Sequence, residues 1–141
     1  MGALGATLSG RLGAFARPPA LRSGSAIAVV APAGCFDRDE LLRGLAWLRT
    51  RYELRIDGRI FSRHGYLAGD DEARAAVLAG AMLAPDVDAI LCARGGYGTM
   101  RIVDRLPWEA FARRPKWVVG FSDVTALHVT LCARAIASVH A

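Results

Sequence analysis

The run Trp117-Val118-Val119-Gly120 leads through Phe121 into Ser122 and Asp123. A serine at the exit of a buried strand can do chemistry. A tight strand-to-helix turn lifts its hydroxyl clear of the sheet, and the helix that follows offers free N–H groups to a developing oxyanion. Such a turn needs small neighbours. Gly120 supplies one two residues before the serine, but Val124 stands where a second glycine is usual. The competing use of the same residues is structural, with Ser122 or Asp123 capping the helix. Spacing leaves both uses open. A nucleophilic serine also needs a base. His128 follows six residues later, about 240° around a helix, and so points away. His64 falls in a loop and His140 near the end of the sequence, and neither is marked as a partner.

A second group is Arg94-Gly-Gly-Tyr-Gly98. Gly95, Gly96 and Gly98 allow a tight turn whose N–H groups face outward, suited to an anion or an oxyanion. A phosphate reading needs more. No Gly-Lys-Ser/Thr ending is present, and Arg101 stands where the third glycine of a dinucleotide fingerprint belongs. Cys35, Cys92 and Cys132 show neither zinc spacing nor paired spacing, so no metal site and no disulfide framework is expected, and a reducing cytoplasmic setting is. No cofactor is expected. The net charge of +5 is almost all arginine, with Lys116 the only lysine. The arginines are scattered rather than clustered with aromatics, which argues against a nucleic-acid partner. The longest apolar stretch, Val124–Val139, is broken by His128 and Arg134 and is too short for a bilayer, so no membrane partner is expected.

The elements that must position these groups follow from periodicity. Apolar runs at 26–31, 87–93 and 116–120, and the alternating run at 52–56, read as strands. Helices are expected over 37–51, where Asp37 and Glu40 have capping-box spacing, and over 71–83, 99–106 and 108–114. A last helix is expected from about Val124 to the end. Residues 1–24 carry three arginines, no acid and a Pro18-Pro19 pair. They are expected to be a disordered or misassigned extension, dispensable for folding, with the domain beginning at Ser25. Strands apolar on both faces, alternating with helices, imply an α/β fold: a parallel sheet with helices on both faces. Ligands of such sheets bind beyond the carboxyl ends of the strands. The loops Pro32–Cys35, Arg94–Gly98 and Phe121–Asp123 all lie there.

Four motifs, "IAVVAPAG", "GYLAGDDEARAAVL", "DVDAILCARGGYGTMRIVDRL" and "KWVVGFSDVTALH", occur in order. Together they resemble the N-terminal half of the LD-carboxypeptidase family of serine peptidases, which includes the microcin-immunity peptidases. The resemblance covers residues 25–141 and implies a flavodoxin-like or class I glutamine amidotransferase-like N-terminal domain. It makes Ser122 the nucleophile, with Gly95, Gly96 and the backbone N–H of Asp123 forming the oxyanion hole. It further implies release of terminal D-alanine from murein tetrapeptides without metal, usually by a cytoplasmic homodimer. The family's catalytic glutamate and histidine lie in a second, C-terminal domain. A truncated chain, inactive alone, is therefore the expectation. The alternatives are a non-catalytic remnant acting as an interaction module, and a nucleotide-binding α/β domain favoured only by the glycine loop.

Overall fold

The computed structural model describes residues 14–141. Five strands, β1 (Ala26–Val30), β2 (Glu53–Ile56), β3 (Ala89–Cys92), β4 (Trp117–Gly120) and β5 (Val139–His140), form one sheet in the order β2-β1-β3-β4-β5. Every pairing is parallel. β1 lies inside the sheet and is buried along its length, which is why it reads as an unbroken apolar run. β2, at an edge, alternates exposed and half-buried residues.

Four helices connect the strands: α1 (Arg38–Arg49), α2 (Asp71–Leu83), α3 (Trp108–Arg113) and α4 (Thr125–Ala133). The chain steps one way from β1 to β2, then the other way from β2 to β3, β4 and β5. Right-handed crossovers therefore put α1 on one face and α2, α3 and α4 on the other. α1 starts as its sequence says, with the Asp37 carboxylate accepting from the Glu40 N–H at 2.8 Å. Asp70 does the same for α2 through the Ala73 N–H at 2.7 Å. At the far end of α2 the only lysine closes the helix. Lys116 Nζ donates to the carbonyls of Ala81 (2.8 Å), Met82 (3.0 Å) and Ala84 (2.5 Å), which satisfies acceptors a helix end leaves open. Burial, then the nearby Arg114 charge, lowers its pKa.

Three expectations change. The helix expected over 99–106 is two 3₁₀ turns, Thr99–Arg101 and Val103–Arg105. The buried side chains Thr99 and Ile102, then Val103 and Leu106, repeat every third residue, and a three-residue turn is what brings such pairs to one side. The final helix stops at Ala133, and the chain turns at Ala135 (φ +53°) to add β5 beside β4. The extension is attached from Ala16 onward. Its N–H donates to Ala135 O at 2.7 Å, its carbonyl accepts from the Ala137 N–H at 2.9 Å, and the Trp117 indole N–H donates to Pro19 O at 2.9 Å. Pro18 is buried. Prolines favour an extended strand with free carbonyls, and here those carbonyls find donors on the domain. Residues 1–13 lie outside the described residues.

Candidate active site

The loops after β1, β3 and β4 meet at the carboxyl edge of the sheet. Gly34 N–H donates to Gly95 O at 3.0 Å, joining the first loop to the second. β4 ends at Gly120, and the 3₁₀ turn Ser122–Val124 leads into α4. Ser122 has φ +58° and is exposed. A non-glycine residue held in this left-handed region costs of order 1 kcal/mol and persists only where its surroundings impose it. Packing imposes it here. A Cβ on Gly120 would lie 2.7 Å from Val124 Cγ1 and 3.0 Å from Cys92 Cβ. Val124, wholly buried, therefore folds back over the strand end. The glycine before the serine makes room for the valine after it, and this explains how the turn forms without a second glycine.

The capping use of the serine and aspartate does not occur. Neither the 3₁₀ turn nor α4 carries a side-chain cap. The Asp123 carboxylate instead reaches across to the glycine loop and accepts from the Thr99 N–H at 2.8 Å. Gly95 faces Ser122 directly. A Cβ there would lie 2.8 Å from Ser122 Cβ, 3.0 Å from Ser122 Oγ and 3.1 Å from Asp123 N. Gly95, the Ser122 hydroxyl and the Asp123 amide are thus in mutual contact. Gly96 (φ +92°) continues the loop, and its open side faces Arg94 and Gly34. The geometry offers a strained, accessible hydroxyl beside a helix-leading amide and the glycine pair Gly95–Gly96. Such a place can receive a carbonyl carbon next to the serine and its oxygen among N–H groups.

His128 points away from this centre, as its helical spacing requires. Its Nε2 lies 2.8 Å from Gly120 O and its Nδ1 2.8 Å from Ser138 Oγ, so both ring nitrogens are engaged. The His140 ring lies 5.6 Å from that of His128. The His64 backbone pairs with Leu67. Among the described residues there is no group of three or more His, Cys, Asp or Glu side chains able to hold a metal ion.

Two further groups were not singled out by sequence reasoning. The first is the Asp123–Thr99 bond. The second is the set Asp71, Arg74 and Arg101 at the start of α2. Arg74 is buried beside Asp71, and Arg101 grips the Asp71 carboxylate with bonds of 2.9 to 3.0 Å. Hydrogen bonding from Arg101 holds the Asp71 carboxyl below its ordinary range. The sequence did hold a signal. Arg74 occupies the same helical stripe as Val77, Leu78 and Ala81, and a charge on an apolar stripe has to be hydrogen-bonded.

Cys92 packs under the turn, and burial pushes its thiol up to about 12. The thiolate is the reactive form. A thiol reagent at neutral pH is therefore expected to label exposed Cys132 and to reach Cys92 only after unfolding. Mass-spectrometric site mapping checks this, and rapid Cys92 labelling in the folded protein would contradict the packing described.

A strained serine at the end of a parallel strand, faced by a glycine loop and followed by a helix, is how serine hydrolases on α/β sheets present a nucleophile. Comparison with known proteins gives the particular family. The model of the LD-carboxypeptidase N-terminal domain matches residues 27–141, and the chain belongs to that family. A carboxypeptidase homologue of Streptomyces coelicolor is 48% identical over 124 residues, covering 84% of this chain and 40% of its own length. The murein tetrapeptide carboxypeptidase of Pseudomonas aeruginosa is 31% identical over 116 residues, covering 81% of this chain and 38% of its own. A crystal structure of the muramoyltetrapeptide carboxypeptidase of Oxalobacter formigenes superposes with a TM-score of 0.73 at 32% identity, over 81% of this chain and 38% of that one. The expected parallel α/β fold and the family resemblance both hold. The chain spans about two fifths of the length of these relatives.

Proposed function

We propose that this domain supplies the nucleophile of a serine LD-carboxypeptidase that releases terminal D-alanine from murein tetrapeptides. The observation that carries the reading is the left-handed, exposed Ser122 in contact with Gly95 and the Asp123 amide. In the proposed reaction the Ser122 hydroxyl gives its proton to a base and its Oγ bonds to the scissile carbonyl carbon. The carbonyl oxygen, now negative, is held by N–H groups of Asp123 and of the Gly95–Gly96 loop. The C–N bond breaks as the base returns the proton to the leaving D-alanine amine. Water then cleaves the ester at Ser122.

The steps assigned to Ser122 and the loop call on no metal or cofactor. With His128 engaged elsewhere, we assign the base to a glutamate–histidine pair in the remaining length that the relatives possess. We place the enzyme in the cytoplasm as a homodimer, on the family resemblance. No described helix is long and apolar enough to cross a membrane.

The test fuses residues 1–141 to the part of the Streptomyces coelicolor relative beyond the matched region and assays D-alanine release from a murein tetrapeptide. The fusion is expected to be active, and Ser122→Ala to reduce its turnover by about 10⁴-fold or more. An active fusion indifferent to Ser122→Ala would refute the assignment.

A further inference from the structure

One peptide plane in the glycine loop is held at both of its polar atoms. The carbonyl of the Gly98–Thr99 unit accepts from Arg74 Nη1 at 3.0 Å, and its amide N–H donates to Asp123 Oδ2 at 2.8 Å. In a trans peptide these two groups point in opposite directions, so a cation and an anion grip the unit from opposite sides. The Arg74 side chain is fully buried. Its remaining donors go to Gly69 O at 3.2 Å, to Pro32 O and to Asp71. Pro32 belongs to the loop after β1 and Gly69 to the loop before α2, so one guanidinium ties three loops of the carboxyl edge together. Asp71 is in turn held by Arg101.

The Gly98 carbonyl also accepts from the Arg101 N–H at 3.2 Å, the 3₁₀ turn's own bond, and the two side chains add to it from opposite sides. Gly98 has φ +131°, in a region that glycine enters readily, and it sits close against Leu67, Ala33 and the Arg74 guanidinium. The Thr99 hydroxyl is buried and has no hydrogen-bond partner among the described residues, so the side chain does not orient the unit. A flipped plane would turn its carbonyl toward the Asp123 carboxylate and its N–H toward the Arg74 guanidinium, unfavourable at both ends. Asp123 directly follows Ser122, and the glycine loop begins at Gly95, against Ser122 Oγ. We infer that Arg74 and Asp123 act as a pair of positioning residues through this one peptide plane, fixing where the Gly95–Gly96 backbone stands relative to Ser122.

The clamp itself is a property of the fold; its kinetic consequence rests on the peptidase reading of Ser122. Two measurements separate them. In the 141-residue chain, amide hydrogen exchange at Thr99 is expected to quicken at least tenfold in Asp123→Ala and in Arg74→Lys. In the fusion, each substitution is expected to lower kcat by about 10²-fold with KM within about twofold, as for a displaced catalytic group. The double variant is expected to lose about as much as either single one, because both act on the same plane. Asp123→Asn, which keeps an acceptor oxygen, is expected to recover at least tenfold of the loss in Asp123→Ala. Unchanged Thr99 exchange, or losses that multiply in the double variant, would overturn the clamp. Should Arg74→Lys fail to fold, exchange and the Asn rescue at Asp123 decide the matter. A fusion indifferent to Ser122→Ala would refute the peptidase reading while the exchange result still judged the clamp.

Discussion

Replacing Gly95 by alanine is expected to lower D-alanine release by the fused enzyme at least about 10³-fold while leaving the domain folded. Gly95 does not occupy the left-handed region, so alanine meets no backbone penalty there. The damage is local. The added methyl would stand 2.8 Å from Ser122 Cβ, 3.0 Å from Ser122 Oγ and 3.1 Å from the Asp123 amide nitrogen. It would fill the space between the hydroxyl and the donors assigned to the oxyanion. Losing one oxyanion donor typically costs 10²–10³ in kcat, about 2.7–4 kcal/mol. Displacing the serine adds to that. Steady-state kinetics beside a circular dichroism melt checks the pair of expectations. Activity within tenfold of the parent would mean that Gly95 does not face the reacting atoms.

Replacing Gly120 by alanine is expected to act on the fold first, costing about 1–3 kcal/mol. Its methyl would press within 2.7 Å of Val124 Cγ1 and 3.0 Å of Cys92 Cβ. Val124 is wholly buried and Cys92 nearly so, so neither can swing into solvent. Urea denaturation measures the loss. A cycle with Val124→Ala gives the sharper reading, because that substitution removes the nearest clashing atom. The double variant should therefore be less destabilised than the sum of the singles. Simple additivity would show that the valine does not fold back over the glycine as described.

β1 to β4 are legible because short apolar or alternating runs stand between helices of strong formers. The edge that carries the site followed from topology, since the loops after β1, β3 and β4 leave a parallel sheet on one side. Ser122 could be placed on that edge but not assigned from spacing. The feature that separates a presented hydroxyl from a cap is its φ of +58°, imposed by Val124 packing against Gly120, a three-dimensional fit that no spacing rule records. Residues 134–141 were misread as helix because their apolar run suits either state. Pairing with Gly120 and with Ala16, far away in sequence, makes them a turn and a strand. The attachment of Ala16 and Pro19 was missed for the same reason: their partners, Ala135, Ala137 and Trp117, lie about a hundred residues on. The Arg74–Asp123 clamp was hidden because one peptide plane links residues from two helix starts that share no local pattern.

In the proposed reaction Ser122 is the group that bonds to the substrate carbonyl. Covalent labelling tests it most directly. The active fusion is treated with a fluorophosphonate, digested with trypsin and mapped by fragment-ion mass spectrometry. One adduct is expected, on Ser122 within the peptide Trp117–Arg134, accumulating in step with the loss of D-alanine release and absent from Ser122→Ala. An adduct on another residue that tracks the loss of activity, or equal inactivation of Ser122→Ala, would contradict it.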